Sequence, residues 1–448
     1  MERRHFLQVT GAAAALSFAQ AFAGPAERAA ASTSDPFELA LLGTTYGEIV
    51  VTKATPGSSA VSTAIKRRFI PAFKTGAKIG SAWTSYPSDF WRSVPSGFPS
   101  GYSGKKRDPR WQGMVDAKFR KTATWGTVVV VACNSRAATY GAKKGLAAII
   151  EMPSSGNLDL SDVRWMASPG GKPHGVELIP DLGVVVVASS HSKDETRTGK
   201  SCKAGGNQPD CGHSEDDVKS KKCAKRGGYL TVYIPEKSAT KVYATVDFPG
   251  AHAVHWDPVT KLLWVGGWRR VRAYRVELKS AQPVFTAIHT FGRLEGGVDA
   301  SGVKFNGYVH DIQPSFFTGT STDAAEKSAQ ITKSRRVLYV ADYYGARALN
   351  TATLKVGTTF HADTRDESNS NVIKFPGLKS FVRTSTGVYM WTRNGTVDPD
   401  KPWLSDVIHV STSGKNVPPR NGKTATAIST RDRPIYRARM YTTRYNAG

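Results

Sequence analysis

Acidic residues are scarce in this chain relative to basic ones. Its 448 residues include 36 Asp and Glu but 61 Lys and Arg, which gives a formal net charge of +25. Such an excess attracts polyanions, namely acidic polysaccharide, nucleic acid or an anionic membrane, although it indicates nothing about the fold. Long apolar segments are also missing beyond the N-terminal region, so the sequence predicts no membrane span.

The N-terminus has the features of an export signal. A twin-arginine pair (Arg3-Arg4) precedes the apolar stretch Val9–Phe22, and Ala21-Phe22-Ala23 has the small residues of a cleavage site. We therefore expect residues 1–23 to be a twin-arginine signal peptide, with a mature chain that begins near Gly24 and is secreted or periplasmic. An uncleaved, buried N-terminal helix is the alternative. Export also argues against nucleic acid as a partner.

Cysteines are few, and none of them forms a CxxC zinc knuckle. Three of the four fall in the charged segment 191–227, which we interpret as an insertion. Without a CxxC pair a zinc site is disfavoured, although His213 in the same segment keeps it as the alternative. Because thiols tend to oxidise outside the cytoplasm, the sequence predicts disulfide bonds among Cys133, Cys202, Cys211 and Cys223.

One sequence pattern recurs along the chain, and such repeats decide the fold class before anything else does. The frame is His-x-(Val/Ile), a turn, and a β-rich run that ends in a small residue. It begins at His174, His252 and His310, and copies without the histidine begin near Asp116 and Leu378. Repetition of one strand order is typical of a β-propeller, in which each copy is a four-stranded blade.

The two ends of the chain together supply one further copy. Residues 38–42 and 48–51 resemble middle strands without a first strand, whereas Ile435–Tyr441 resembles a first strand with nothing after it. We therefore predict an all-β fold made of a single β-propeller over residues 24–448, with six blades and a ring latched by the N- and C-terminal strands. A seventh blade within Thr84–Gly113, a β-sandwich, or two smaller barrels are the alternatives.

The first strand of each propeller blade lines the central channel, and the starts of these strands meet at one mouth. Aligned copies put a histidine or a cation there: Lys118, His174, His252, His310, Lys379 and Arg439. The loops that reach the same face contribute Arg136, Trp268, Arg269, Tyr343 and Arg393. Aromatic rings can stack on sugar faces and arginine binds carboxylates through its planar fork, so these residues predict a site for an acidic sugar. Six basic groups would also repel one another without a ligand, which argues against a purely stabilising role.

Two of the repeated segments resemble a known family. Pro173–Pro180 and Ala251–Pro258 resemble the Pro-His-(small)-(Ala/Val)-Glu-Leu-Leu-Pro and Gly-His-(small)-Val-Trp-Asp-Pro patterns of an uncharacterised family of secreted bacterial and fungal β-propellers. The match is good over residues 116–278 and loose elsewhere. That family is similar in architecture to propeller polysaccharide lyases, including those that cleave rhamnosyl-glucuronate linkages. The resemblance implies the propeller fold, and it implies lyase activity by analogy alone.

β-Elimination on a uronic-acid polysaccharide suits the residue types at the predicted mouth. The reaction needs a base for the C5 proton, an acid for the leaving oxygen, and a cation that neutralises the carboxylate. We assign His252 or His310 as the base and Tyr343 as the acid, and Lys118, Lys379 and Arg439 as the cations. The catalytic residues are thus expected among the three aligned histidines and Tyr343.

A metal ion could replace the cations in this scheme. His174, His252 and His310 would then jointly hold a divalent ion (Ca, Mn or Zn), with His255 and Gln313 as additional ligands. Three permanent cations already belong to the predicted mouth, so we favour the metal-free version.

Two other classes of function stay open. A non-catalytic module that binds acidic glycans would use the same basic face. A glycoside hydrolase normally needs a pair of carboxylates, and only Glu177 and Asp311 lie near the predicted mouth. In each case we expect an acidic polysaccharide or oligosaccharide as the partner, no nucleic acid, and a monomeric chain.

The cysteines yield a testable prediction. Cys133 and Ser189 end equivalent strands in adjacent copies, so a cysteine of the insertion that begins near Ser189 can reach Cys133. We predict one disulfide from Cys133 to the insertion and a second within it. Both would hold a charged segment that has too few apolar residues to order itself. Each would stabilise the fold by about 2–4 kcal/mol, because a cross-link lowers the chain entropy of the unfolded state. Peptide mapping of the non-reduced, exported protein should find both bridges. Four thiols, or a zinc ion held by the segment, would contradict the prediction.

Overall fold

The structure is a computed structural model whose described residues are almost entirely in β-strands and their turns. It describes residues 37–43, 48–54, 67–69, 111, 113–134, 145–152, 162–169, 172–190, 208–210, 223–225, 228–238, 240–293, 299–300, 305, 307–316, 337–342, 345–351, 354–356, 377–384, 389–393, 404–405, 407–411, 426–429 and 435–440. Within these ranges, no helix has the length and apolar character to cross a membrane.

The strands of the N-terminal half form antiparallel sheets that follow chain order. The first sheet contains β1 (Phe37–Gly43), β2 (Glu48–Ala54) and β3 (Arg67–Phe69). The second contains β4 (Met114–Thr122), β5 (Gly126–Cys133), β6 (Leu146–Glu151) and β7 (Val163–Ala167). The third contains β8 (Pro173–Ile179), β9 (Val184–Ser189), β12 (Tyr229–Tyr233) and β13 (Ala244–Asp247). Between β9 and β12 the chain forms a separate short parallel pair, β10 (Gln208–Asp210) and β11 (Cys223–Lys225). A 3₁₀ turn at Pro180–Leu182 joins β8 to β9.

The C-terminal half repeats the same arrangement. The fourth sheet contains β14 (Ala253–Asp257), β15 (Leu262–Gly267), β16 (Arg270–Lys279), β17 (Gln282–Arg293) and β18 (Asp299–Ala300). The fifth group is β19 (Asp311–Phe316), β20 (Val337–Ala341), β21 (Ala346–Asn350) and β22 (Lys355–Val356). The sixth is β23 (Leu378–Thr384), β24 (Tyr389–Arg393), β25 (Val407–Ser411) and β26 (Thr426–Ser429), and β27 (Ile435–Met440) ends the described chain. A two-residue parallel pairing of Ser315 and Phe316 with Arg383 and Thr384 joins the fifth and sixth groups.

Repetition of one antiparallel meander makes the protein an all-β propeller, as the sequence predicts. The first strands β4, β8, β14, β19, β23 and β27 contact one another in that order, and β27 contacts β4, so the contacts close into a ring. Six such groups are present among the described residues. The total number of blades stays a prediction, because nearly all of Thr84–Gly113 lies outside those residues.

The ends of the chain latch the ring in the predicted way. Strand β27 pairs antiparallel with β1, from Leu39 opposite Met440 to Gly43 opposite Ile435. The C-terminal strand therefore supplies the innermost strand of the sheet whose other strands come from the N-terminal region.

The hydrophobic core lies between neighbouring blades. In β5, Val129 and Val131 pack into a cluster that includes β1 and β2, whereas Val128 and Val130 pack into a cluster that includes β8 and β9. Successive side chains of a strand point to opposite faces. A strand with a blade on each side is therefore apolar throughout, which explains the uninterrupted valine runs in the second strands.

Buried ion pairs cross the channel at the level of the first strands. Asp116 in β4 accepts hydrogen bonds from Lys118 Nζ at 2.6 Å, from Arg439 Nη2 at 2.5 Å and from the main-chain N–H of Val176 at 3.1 Å. Arg439 in β27 also donates to Asp311 in β19 at 2.5 Å. These contacts connect four of the first strands, including the one that closes the ring.

A second buried pair lies beside the first. Arg120 donates two hydrogen bonds to Glu177, at 2.9 and 2.7 Å, and the main-chain N–H of Trp256 donates a third at 2.9 Å. Glu177 is completely buried, and these hydrogen bonds connect its strand, β8, to β4 and β14. We call this group of buried charges the ion layer; its members are Asp116, Lys118, Arg120, Glu177, Asp311, Arg437 and Arg439.

The protonation of Asp116 is fixed by its cationic neighbours. Burial by itself would raise the pKa of this carboxyl, but the charges of Lys118, Arg439 and Arg437 outweigh burial and hold the pKa well below its ordinary value. Because the folded-state pKa is depressed, the ionised carboxylate stabilises the fold above the ordinary pKa of about 4 and loses this contribution as the pH falls below it.

We predict that Asp116→Asn lowers the free energy of unfolding by about 3–5 kcal/mol at pH 7, since it leaves Lys118 and Arg439 buried with less compensation. Urea unfolding measures the effect, and the difference from wild type should shrink at pH 3, where the wild-type carboxylate also loses stabilisation. Asp181→Asn is the matched control: its pair with Lys261 is exposed, so the loss should stay below about 1 kcal/mol. Equal losses in the two variants would contradict the prediction that Lys118 and Arg439 depend on the buried carboxylate of Asp116.

Candidate functional site at the channel mouth

β-Bulges mark the places where several first strands begin. The pairing register shifts between Met114 and Asp116, between Pro173 and Gly175, and between Leu378 and Ser380. It also shifts in β27, where Leu42 faces Arg437 and Gly43 faces Ile435. The residues left out of the pairing are Val115, His174, Lys379 and Tyr436. A bulge turns the extra side chain away from its position in the regular ladder, and here three of the four extra side chains carry polar groups.

The structure brings the three aligned histidines together. The rings of His174 and His252 stack at 4.0 Å between centroids with 17° between their planes. The rings of His252 and His310 lie 5.3 Å apart at 73°. His252 and His310 are only 6 and 4 % exposed, so these imidazoles lie just below the surface of the mouth.

Gly175 permits the close approach of His174 and His252. A Cβ atom at this position would lie 2.7 Å from the carbonyl oxygen of His252 and 3.3 Å from Cα of Ala253. Both contacts are with main chain, which cannot rotate away. Glycine after His174 therefore allows β8 to lie against β14 closely enough for the two rings to stack.

Lys379 and Tyr436 complete the cluster on the side of the closing strand. Lys379 Nζ lies 3.3 Å from His310 Nε2 and 5.7 Å from the centroid of the Tyr436 ring. Burial, and then the charge of Arg437, lower the pKa of Lys379 to about 7. Lys379 can therefore gain or lose its charge near neutral pH. We call His174, His252, His310, Lys379 and Tyr436 the mouth cluster.

Burial also keeps the imidazole of His310 neutral. Its pKa is lowered well below the ordinary value, first by burial and then by the charges of Lys379, His252 and Arg437. His252 has a defined tautomer, because its Nδ1 lies 3.0 Å from the carbonyl oxygen of Gly250. A carbonyl oxygen only accepts, so in the neutral form of His252 Nδ1 carries the proton and the lone pair is on Nε2.

An aromatic pair adjoins His252 on the other side of the mouth cluster. The Tyr308 ring lies 4.4 Å from His252 and 4.7 Å from Trp268, and the Arg269 guanidinium lies 5.7 Å from the Trp268 ring. Main-chain bonds hold the turn in place: Trp268 N–H donates to Pro249 and Arg269 N–H donates to Gly307. Of these residues, Trp268 and Arg269 are predicted from the sequence and Tyr308 is not.

Lys118 and Arg439 lie deeper in the channel than the sequence alignment implies. Lys118 pairs with Val130, whereas the mouth position of the same strand is the bulged Val115. Both side chains are buried in the ion layer. Lys118 binds Asp116 there, and Arg439 binds both Asp116 and Asp311. The structure thus gives these two cations carboxylate partners and groups them apart from the histidines.

His255 and Gln313 also belong to the deeper level. His255 Nδ1 lies 3.8 Å from Glu177 Oε2, and Gln313 Nε2 donates to Asp311 at 3.0 Å. They therefore do not join the histidines of the mouth cluster as ligands. Among the residues that the structure describes, no group of three or more His, Cys, Asp or Glu side chains is arranged to hold a metal ion.

The remaining predicted site residues are only partly described. Arg393 is exposed at the end of β24, opposite Leu378 and thus next to Lys379 in the sheet. Tyr343, Arg136, Cys202 and Cys211 lie outside the described residues. Cys133 is buried at the end of β5, and Cys223 pairs with Gln208 in the β10–β11 ladder. The disulfide assignment stays a prediction.

Comparison with known proteins adds little to this description. The sequence matches no protein-family profile and no curated protein sequence. Its fold is similar to a periplasmic gluconolactonase of Pseudomonas aeruginosa, with 12% identity, 90% of this chain and 98% of that chain covered, and a TM-score of 0.41. It is also similar to a functionally unknown protein from Desulfotomaculum acetoxidans, with 10% identity, 88% and 97% covered, and a TM-score of 0.36. Similarity at this level assigns neither an activity nor a substrate.

We predict that binding of an acidic sugar at the mouth weakens as the pH rises through the pKa of Lys379. Between pH 6 and pH 8 the charged fraction of a group with a pKa of about 7 falls roughly tenfold, so the dissociation constant of a uronic-acid oligosaccharide should rise about tenfold. Lys379→Arg keeps its charge throughout and should remove the dependence. Isothermal titration calorimetry measures both. A wild-type affinity that is constant over this range would exclude Lys379 from the binding site.

Proposed function

We propose that the protein is a polysaccharide lyase that acts outside the cytoplasm and cleaves a uronic-acid-containing polysaccharide by β-elimination at the channel mouth. The observation that carries the proposal is the mouth cluster itself. Imidazole, amine and phenol groups lie together, with arginines nearby, and below them, among the described residues, Asp116, Glu177 and Asp311 are in ion pairs. Export, which we expect from residues 1–23, would bring the protein to where such polysaccharides occur, and the net charge of +25 favours a polyanionic substrate.

The elimination needs a base, an acid and a cation, and this cluster contains groups for all three. The base takes the C5 proton, the electrons of the C5–H bond form the C4–C5 double bond, and the C4–O bond breaks as the acid gives a proton to the leaving oxygen. A cation beside the carboxylate makes the C5 proton more acidic. All three groups must face one sugar ring, which a single channel mouth permits.

His252 is the base that the geometry favours. Its Nδ1 faces the Gly250 carbonyl oxygen, which leaves Nε2 as the proton acceptor. His310 suits the role less well because its Nε2 lies 3.3 Å from Lys379 Nζ. We assign His310 to hold Lys379, and Lys379 together with Arg269 and Arg393 to neutralise the carboxylate.

Among the described residues, Tyr308 is our candidate for the acid. Its ring lies 4.4 Å from His252, so a sugar at the base would also be within reach of the phenol. Tyr343, the sequence-based candidate, lies outside the described residues and stays a second candidate. Trp268 would stack on a neighbouring sugar, since its ring packs against Tyr308 at 4.7 Å.

Neither hydrolysis by a carboxylate pair nor the metal version is favoured by the contacts. Asp116, Glu177 and Asp311 bind arginine or lysine in the ion layer, whereas a glycosidase needs one carboxyl that gives up its proton. Among the described residues, the three mouth histidines are not arranged to hold a metal ion together, and neither is any other group of three or more His, Cys, Asp or Glu side chains. A binding module without catalysis would use the same residues, and turnover distinguishes it from a lyase.

We predict that His252→Gln lowers kcat by about 10²–10⁴-fold on a cleavable polyuronide, because it removes the base. The absorbance of the unsaturated product in the ultraviolet reports the rate. His409→Gln is the matched control: His409 is partly buried and stacks on Trp391 at 5.4 Å, so it should keep wild-type activity. A folded His252→Gln variant with full activity would contradict the assignment.

Substrate panels and a chelator separate the alternatives in the same assay. Binding without an unsaturated product across a panel of polyuronides would identify a binding module. Loss of turnover on chelation, with recovery on adding a divalent ion, would favour the metal version with His174, His252 and His310 as ligands. Turnover that resists the chelator is the outcome we expect.

A further inference from the structure

Arg437 of the closing strand reaches the main chain of two mouth histidines. It is completely buried and lies next to Tyr436. Its Nη1 donates to the carbonyl oxygen of His174 at 3.0 Å, and its Nη2 donates to the carbonyl oxygen of His310. Nη1 also lies 3.3 Å from Asp116 Oδ1. One guanidinium therefore connects β27 to three other first strands.

The bulge explains why an arginine is useful at this point. His174 is the extra residue of the β8 bulge, between Pro173 and Gly175 in the pairing with β9. Because a bulge locally disrupts the ladder, the main chain at the extra residue is not fixed by regular pairing. A guanidinium offers several donors in a rigid planar fork, so it can hold two carbonyl oxygens from different strands at a set distance.

The charge of Arg437 is supported from below. Asp116 lies within 3.3 Å of Nη1, and the same carboxylate binds Lys118 and Arg439. The Tyr436 ring lies 5.2 Å from the guanidinium carbon. Arg437 thus contacts the carboxylate of Asp116 through Nη1 and the main chain of the mouth cluster through Nη1 and Nη2, so it links the two levels of the channel.

We infer that Arg437 is a positioning residue, which fixes the main chain of His174 and His310 and so makes the arrangement of the mouth histidines depend on closure of the ring by β27. The inference holds for any chemistry at the mouth and does not need the lyase proposal. A purely stabilising arginine would instead affect unfolding and leave the folded histidine cluster unchanged.

Arg437→Lys in the full-length protein tests this inference. Lysine keeps the charge but replaces the planar fork by a single head group, so the bond to at least one carbonyl is lost. We expect the imidazole carbon-bound proton signals of His174, His252 and His310 to shift in NMR spectra at fixed pH. The chain has 10 histidines, so single His→Gln variants can assign the signals. Unchanged signals in folded Arg437→Lys would overturn the inference.

Two further variants calibrate the spectra. Gly175→Ala forces β8 away from β14 and should shift the His174 and His252 signals, which shows that the assay detects displacement of the cluster. Arg120→Lys weakens the other buried pair, with Glu177, and should lower stability without shifting the signals of the three mouth histidines. Shifts of equal size in Arg120→Lys and Arg437→Lys would mean that any ion-layer lesion moves the histidines, and this result would also overturn the specific role of Arg437.

Activity gives a second readout that separates the two proposals. If the protein cleaves polyuronides, Arg437→Lys should lower kcat by about 10- to 100-fold, as expected for a small displacement of catalytic groups, with KM changed by less than about threefold. Shifted histidine signals without any polyuronide turnover in wild type would support the role of Arg437 and count against the lyase. Full turnover in Arg437→Lys would count against the positioning role.

Hydrogen exchange of the wild-type protein keeps the inference testable if Arg437→Lys does not fold. Peptides that cover Ile435–Met440 and those that cover the starts of β8 and β19 should lose protection together in mild denaturant. Exchange of the closing strand while the segments around His174 and His310 stay protected would overturn the dependence on ring closure.

Discussion

The buried carboxylate of Asp116 is the contact on which the arrangement of this ring most depends. It lies in β4 and binds Lys118 of its own strand together with Arg439, while Arg437 lies within 3.3 Å. The two arginines belong to β27, so one carboxylate connects the first complete blade to the strand that closes the ring. Apolar packing between blades is not directional, whereas these ion pairs fix how the channel-lining strands are positioned against one another.

Burial sets the protonation state of the groups above the ion layer, and the charge of Arg437 adds to its effect. His310 and Lys379 are buried near the guanidinium of Arg437, and burial and positive charge both lower the pKa values of these groups. The mouth cluster consequently contains the neutral imidazole of His310 and the amine of Lys379, which titrates near pH 7. The expected repulsion among six basic groups is reduced in the structure, because Lys118 and Arg439 bind carboxylates at the deeper level. It remains between Lys379 and His310, since the charge of Lys379 lowers the pKa of His310.

The repeat pattern is enough to predict the propeller, since valine runs such as Val184–Val187 are needed wherever a strand lies between two blades. It is also enough to align His174, His252 and His310, because the three copies share one motif. The copies without histidine lack this reference point, and a bulge adds a residue that no alignment of strands reveals. This is why Lys118 and Arg439 align with the histidines in the sequence although they lie deeper in the structure.

Tyr436 and Tyr308 escape sequence-based prediction for related reasons. Tyr436 occupies the mouth only because the pairing skips from Arg437 to Ile435. Tyr308 precedes the third motif by two residues, a position that holds Gly250 in the second copy, so the repeats share no signal there. In the structure the two sites are complementary: a Cβ atom on Gly250 would lie 2.8 Å from the Tyr308 ring. The fit of the Tyr308 ring against Gly250 becomes visible only when the two blades are placed side by side.

The distribution of charge along the channel restricts the chemistry at the mouth. Holding the blades together requires anions opposite Lys118, Arg120, Arg437 and Arg439, and Asp116, Glu177 and Asp311 serve this purpose. An ion-paired carboxylate with a depressed pKa, such as Asp116, does not carry a proton that it could give to a leaving oxygen near neutral pH. The groups of the described mouth that are able to transfer a proton near neutral pH are therefore imidazole, amine and phenol groups. These are the groups that an elimination can use, and they are not the pair of carboxyl groups on which glycoside hydrolysis normally depends.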